Sequence, residues 1–393
     1  MAKAPEMKSH DRLGFSLAEY KRRYDHVVKN MQGAGAECLL VRGPENITYL
    51  TGFETPGYYK YHCLIIAPGE EPVLILRRFE EINVWEYSWL TKTVPVWDHQ
   101  DPTEETIKTL KAMKLDGKRL GVEKAGWFFS VQEFEGLAAA LPKAKLVDCS
   151  RAVEEARLIK SDEEIAMMRK AAAIADKAVQ AGIEACRPGV TEDDVAARVH
   201  HVLCENGGEY MGLPPFILAG PRTSLPHQTW RGEPVRKGEH VYFEVSAAKY
   251  RYSSALMRCV SVGEPNKRLR AMSDACIGGL NAAIAAIKPG VSCQDADTAC
   301  RSVIEKAGFG DSFRHRTGYS IGVNYPPDWG EGQILSIRQG EPRLLQENMT
   351  FHLVPLCLIY REIGVGFSAT IRVTKTGCEA FTKVPLKLFV NAA

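Results

Sequence analysis

The sequence predicts an α+β chain of two domains, and three observations predict it. At 393 residues the chain is too long for one ordinary core and suits two. Its first part alternates short apolar runs with helical patterns, the mark of a small mixed α/β domain. Beyond Arg151 the order changes to a helix pair, strands, a second helix pair and strands to the end, which suggests an internal repeat. The expected division is 1–155 and 156–393.

Ser16 to Gly33 carries Ser16 as N-cap, Glu19 three residues on, and Tyr20, Tyr24, Val27, Val28 and Met31 on one face, which predicts an amphipathic helix with a capping box. Strand-like runs follow: AECLLV near 36, HCLIIA near 62, PVLILR near 72, KTVPVW near 92, RLGVEK at 119 and AKLVDCS at 144. In the second part, Ser161 stands before three acids and starts a helix reaching Cys186, with Thr191 to Asn206 as its partner. Strands are expected within 216–262, helices over Lys267–Ile287 and Cys293–Gly308, and strands thereafter.

Composition excludes several classes of function. Fifty basic against 48 acidic side chains leave a net charge of +2 with no Lys/Arg-rich run, so nucleic acid is not an expected partner. No apolar run approaches a membrane span and the N-terminus lacks an apolar leader core, so the expected location is cytoplasmic. Eleven scattered cysteines, odd in number and without a CxxC pair, indicate reduced, mostly buried thiols rather than a disulfide framework or a thiolate metal site. There is no phosphate-binding Gly-rich loop with its lysine, no HExxH and no GxSxG, and no cofactor is called for.

The candidate chemistry lies mostly in the second half. Glu244 sits mid-strand between Phe243 and Val245, where an unpaired carboxylate is costly to bury, so it needs a task or a partner. His227, in the SLPHQTW loop after a proline, is placed as scaffolds place catalytic groups, although a lone loop histidine is more often simply solvated. Arg258 ends the next strand, on which Tyr250 and Tyr252 alternate. FRHRTGYSIGVNYPPDW holds His315 and Tyr319 and either lines a pocket or turns a corner. His352 lies on an apolar strand, where a histidine is usually a satisfied core residue. Near the start, Tyr58, Tyr59, Lys60 and Tyr61 cluster in a turn suited to an anionic or planar ligand or to a subunit contact.

Six motifs in order resemble the pita-bread family of creatinase, aminopeptidase P, prolidase and methionine aminopeptidase: ARLIKSDEEIAMMRKAAAIAD, LPHQT, GEHVYFEVS with YRYSSALMR, HRTGYSIG, ENMTFHLVP and SATIRVTKTG. The resemblance covers most of the chain and implies a creatinase-like N-terminal domain ahead of a pita-bread catalytic domain. The peptidases of that family bind two metals through two aspartates, a histidine and two glutamates, donors suited to hard ions. Motif for motif, those positions hold Glu244, Ala255, Tyr319, Val354 and Ser368 here, which argues against a dinuclear metal site and against peptidase activity.

Creatinase implies another route, hydrolysis of a C–N bond without metal. Its catalytic histidine falls on His227. Its N-terminal-loop aromatic and arginine, which reach the other subunit's site in a homodimer, fall on Tyr58 and Lys60. Its substrate-holding glutamates fall on Met257 and Val354, so creatine itself is a poor candidate. Ectoine hydrolases are a nearer match. The resemblance therefore implies a metal-independent hydrolase of a small zwitterionic or cyclic amidine compound, with His227 and Glu244 catalytic. Tyr58, Lys60, Tyr252, Arg258, His315, Tyr319 and His352 are expected to bind or support the substrate, with Lys60 pairing its carboxylate. A metal-dependent Xaa-Pro peptidase and a non-catalytic binding protein are the alternatives.

Overall fold

The computed structural model describes residues 7–393, which form two compact units divided between Arg157 and Leu158. The first unit is built on one six-stranded sheet, β1 (Cys38–Val41), β2 (His62–Ile66), β3 (Val73–Arg77), β4 (Thr93–Val96), β5 (Arg119–Val122) and β6 (Lys145–Asp148), in the order β4-β3-β2-β1-β5-β6. The β1–β2 and β2–β3 pairs are antiparallel; the outer pairs β3–β4, β1–β5 and β5–β6 are parallel. Helices α1 (Leu17–Gly33), α2 (Pro44–Thr51), α3 (Glu81–Tyr87), α4 (Pro102–Ala112), α5 (Val131–Ala140) and α6 (Arg151–Leu158) supply the connections. Ser16 caps α1 as the sequence predicts, accepting from Glu19 N. The Glu19 carboxylate is engaged by Arg22 and Arg23, which lie one turn on and offer charged donors.

The second unit begins with α7 (Asp162–Ala185) and α8 (Glu192–Glu205), each opened by a full capping box. Strands β7 (Phe216–Ala219), β8 (His240–Lys249) and β9 (Tyr252–Val262) follow, then α9 (Lys267–Ala286) and α10 (Cys293–Lys306). The rest is strand: β10 (Gly318–Ser320), β11 (Ser336–Ile337), β12 (Thr350–Leu353), β13 (Leu356–Ile359), β14 (Ile363–Gly366), β15 (Ala369–Val373), β16 (Cys378–Ala380) and β17 (Phe389–Asn391). They join in sheets of order β17-β9-β8-β7 and β11-β10-β12-β15-β16, with β13–β14 a separate hairpin.

Register decides which side chains meet. Glu244 lies opposite Met257, and Phe243 opposite Arg258, so the β8–β9 hairpin presents two distinct faces. Val241, Phe243, Val245, Ala247, Leu256 and Val260 pack with residues of α7 and α8 in one apolar core. Gly182 lets α7 come close there, since a Cβ on it would lie 2.8 Å from the Phe243 ring. The other face carries Tyr242, Glu244, Ser246, Ala255 and Met257. It meets β15, whose Thr370 hydroxyl accepts from Ala255 N at 2.9 Å and donates to Ala255 O at 2.9 Å.

All eleven cysteines are free thiols. Nine are buried, and burial raises the thiol pKa of those such as Cys63 and Cys259 to about 12. Among the described residues, no helix is long and apolar enough to cross a membrane.

Candidate active site

Glu244 is 6% exposed and its carboxylate accepts one hydrogen bond, from the Tyr242 hydroxyl at 2.7 Å. The pair stands two apart on one strand, so the pleat puts both on the same face. Burial pushes the Glu244 pKa up to about 7; the Tyr242 bond pulls it back and the charge of Asp328 adds to the rise. At neutral pH this group is divided between acid and base, which suits proton transfer.

The strands set its neighbours. Phe216 on β7 lies opposite Glu244. Its ring stands 5.7 Å from that of His227 and 5.5 Å from that of Trp329, centroid to centroid. The loop bearing His227 is organised by the buried Glu192 carboxylate, which binds Ala219 N (2.8 Å), Arg231 N (2.9 Å) and the Arg222 guanidinium. Arg222 in turn donates to Thr229 O at 2.8 Å. His227 has φ +53°, a conformation rare outside glycine, and its side chain is exposed.

Opposite lies a buried hydrogen-bonded chain. Trp329 Nε1 donates to Tyr319 Oη at 2.9 Å, Tyr319 Oη lies 2.9 Å from His352 Nδ1, His352 Nε2 lies 2.7 Å from Ser368 Oγ, and Met257 N donates to Ser368 Oγ at 2.6 Å. Burial holds the His352 pKa down to about 3, so the ring is neutral with a single N–H. Each tautomer of the neutral ring leaves one hydroxyl hydrogen of the chain without a partner, and the less costly one leaves it on Tyr319. Ser368 Oγ–H donates to Nε2, Nδ1–H donates to Tyr319 Oη, and the Tyr319 hydroxyl hydrogen is free to face the site. The other tautomer strands the Ser368 hydrogen at a residue with 0% exposure, whereas Tyr319 is 7% exposed. Burial, with Glu244 and Asp328 nearby, keeps the Tyr319 phenol protonated well past its ordinary range.

His315 donates through Nδ1 to Arg316 O at 2.9 Å. The residue is exposed, while burial by surrounding protein and the Arg316 charge lower its pKa. His227 lies close enough to act electrostatically on both Asp328 and His315.

The expected residues thus divide. Glu244, Tyr319 and His352 fall on the two facing walls, and His227 and His315 stand at their edge. Tyr252 and Arg258 do not join them, because they lie on the opposite face of the hairpin, toward α7. Tyr252 donates to Glu164 of α7 at 2.6 Å. Arg258, 1% exposed, donates to Met257 O (2.6 Å), Ser368 O (2.8 Å), Pro385 O (3.0 Å) and Val384 O, so four of its five N–H groups are spent within the fold. Tyr58 and Lys60 belong to the first unit, where Tyr58 packs edge-on against Tyr59 and Phe128 and Lys60 lies 5.2 Å over the Tyr59 ring.

Sequence reasoning missed Tyr242, Phe216, Asp328, Trp329 and Arg316. For Tyr242 the signal was present, since period two places it beside Glu244; for the loop residues nothing in the spacing marks them.

Residues 166–375 match the model of metallopeptidase family M24, and residues 23–159 that of the creatinase/prolidase N-terminal domain. The chain belongs to metallopeptidase family M24, with the pita-bread fold in its second unit. It is 37% identical over 391 residues to an uncharacterized hydrolase/peptidase of Sinorhizobium fredii, covering 96% of this chain and 97% of the relative. It is 29% identical to the ectoine hydrolase of Halomonas elongata, covering 96% and 99%. Among solved structures, the prolidase of Thermococcus sibiricus superposes with a TM-score of 0.86 at 26% identity, covering 96% and 100%.

The family name implies a metal, and the residues present do not fit one. The two walls offer Glu244, Tyr319, His352 and Ser368 together with Ala255, Met257 and Val354. Among the described residues, no group of three or more His, Cys, Asp or Glu side chains is placed to hold an ion. The one carboxylate at these positions is bonded to a tyrosine, the histidine is consumed by Tyr319 and Ser368, and hard divalent ions want several oxygen anions.

Proposed function

We propose that this chain hydrolyses a non-peptide C–N bond in a small zwitterionic or cyclic amidine compound such as ectoine, without metal, as a cytoplasmic homodimer. The observation that carries this reading is Glu244: a lone, buried carboxylate with one tyrosine partner, where a peptidase of the family would need a metal-binding set. A cationic amidinium would give that carboxylate the partner it lacks.

In this reading water bonds through oxygen to the amidinium carbon while Glu244 takes its proton. His227 gives a proton to the departing nitrogen as the C–N bond breaks. The hydroxyl proton passes to His227 as the amide carbonyl forms, and the released amine takes the proton held by Glu244. Amidinium and water thereby yield amide and ammonium. Tyr319, with its hydroxyl hydrogen uncommitted, would donate to the oxygen or nitrogen that gains electrons at the carbon. Tyr58 and Lys60 of one subunit would close the other subunit's site.

The similarity to a prolidase supports a second reading, a metal-dependent Xaa-Pro peptidase. Turnover of ectoine, hydroxyectoine, creatine and Xaa-Pro dipeptides, each with and without added manganese, separates the two. Ring opening of an ectoine without metal supports the first. Cleavage of a proline dipeptide alone, and only with metal, overturns it. Ligand-induced thermal stabilisation with no product from any compound would mark a binding protein.

A further inference from the structure

Arginines of the second unit that lie inside the protein are normally spent. Arg251 donates to Asn324 O (3.2 and 3.0 Å) and Tyr210 O (2.6 Å), and Arg258 to the four carbonyls given above. Arg316 differs. Among the described residues its guanidinium makes a single hydrogen bond, a long one of 3.3 Å from Nη1 to Ser336 Oγ, and no ion pair. Its Nε is buried with no partner. The residue is half-buried, so one unpartnered donor lies inside while the outer end of the fork stays open to an incoming group.

The surroundings are shaped to keep that fork in place. The guanidinium stacks on the Tyr319 ring at 4.6 Å to its centroid, so it shares the wall that bears the relay. Two glycines make the room. A Cβ at Gly332 would come within 2.7 Å of Arg316 Nη2, and one at Gly330 within 2.5 Å of the Tyr319 ring. The loop carrying them is pinned by the buried ion pair of Lys160 Nζ with Glu331 Oε2 at 2.7 Å. Asp328 lies close enough to act electrostatically on Arg316, Glu244 and Tyr319, yet its carboxylate accepts from Gly330 N at 2.9 Å and does not pair with the guanidinium.

We propose that Arg316 is the specificity-determining residue that grips a carboxylate of the substrate, stacked on Tyr319, while Glu244 faces the substrate's cationic end. The ligand class is then a compound bearing both a carboxylate and a cation, and Arg316 takes the role the sequence assigns to Lys60. Arginine suits it, because the fork meets a carboxylate with two parallel bonds. The inference rests on the reading that this pocket is the substrate site, but not on turnover.

The test is calorimetric titration of the full-length protein with ectoine and with glycylproline, each beside its carboxamide, for wild type, Arg316→Met, Arg316→Lys and Lys60→Met. At least one acid is expected to bind wild type about 10- to 100-fold more tightly than its amide. That preference should vanish in Arg316→Met, survive in part in Arg316→Lys, and persist in Lys60→Met. Circular dichroism establishes that each variant is folded. A preference that survives in Arg316→Met, or that is lost in Lys60→Met instead, overturns the assignment, as does a wild type that binds acid and amide equally. If only glycylproline shows an Arg316-dependent preference, the anchor stands and the proposed C–N hydrolase falls.

Discussion

The two faces of the β8–β9 hairpin carry tyrosine and a charged group alike and treat them in opposite ways. Toward α7, Tyr252 is bound to Glu164 and Arg258 to four carbonyls. On the other face Glu244 has one tyrosine partner, and Arg316, on the facing wall, has one long bond. A buried polar group with its partners satisfied holds a fold together; one left short costs stability until a ligand arrives. Chemical type alone does not separate these two sets of residues, but the count of partners does.

The contrast can be broken from either side. The largest effect is expected from His227→Ala: turnover should fall about 10²- to 10⁴-fold, the usual worth of a positioned acid–base group, with the melting temperature almost unmoved. Arg258→Met should do the reverse. Removing the guanidinium strips Ser368 O and Val384 O of their donor, while Met257 O and Pro385 O keep a backbone one; the loss is expected to cost about 3–5 kcal/mol in urea unfolding, and any binding defect should follow from misfolding.

Glu244→Gln sharpens the comparison through pH. The folded pKa of about 7 lies above the ordinary 4.5, so folding takes up a proton between them. The stability linked to that proton is fully present below about 4.5 and is lost as pH rises through 7, by up to ~3 kcal/mol. Glutamine imitates the protonated state. The variant should therefore be more stable than wild type at pH 8, converge with it near pH 5, and be inactive throughout. A constant offset across that range would remove Glu244 from this role. The smallest effect is Tyr252→Phe, expected to cost about 2 kcal/mol of stability through the lost bond to Glu164 and to leave ligand affinity unchanged.

Much of the fold was legible in the sequence because local rules govern it. Ser161 with Glu164, and Thr191 with Asp194, announce their helices by capping boxes, and period two marks the hairpin. Glu244 stood out because an acid between Phe243 and Val245 has no local explanation. Arg258 and Tyr252 were misread although their parity was available: the same alternation that puts Tyr242 beside Glu244 puts them on the other face. Arg316, Asp328 and Trp329 were beyond reach for a different reason. They lie in loops whose path is set by long-range ties such as Lys160 with Glu331, and no spacing rule encodes those.

The central claim is that Glu244, not a metal centre, does the chemistry of this site. It is tested most directly by following ectoine ring opening with chelator-treated wild-type protein of verified metal content. The expected result is product formation at an undiminished rate, absent from Glu244→Gln under the same conditions. Loss of all activity on chelation, with recovery on adding manganese, would contradict it.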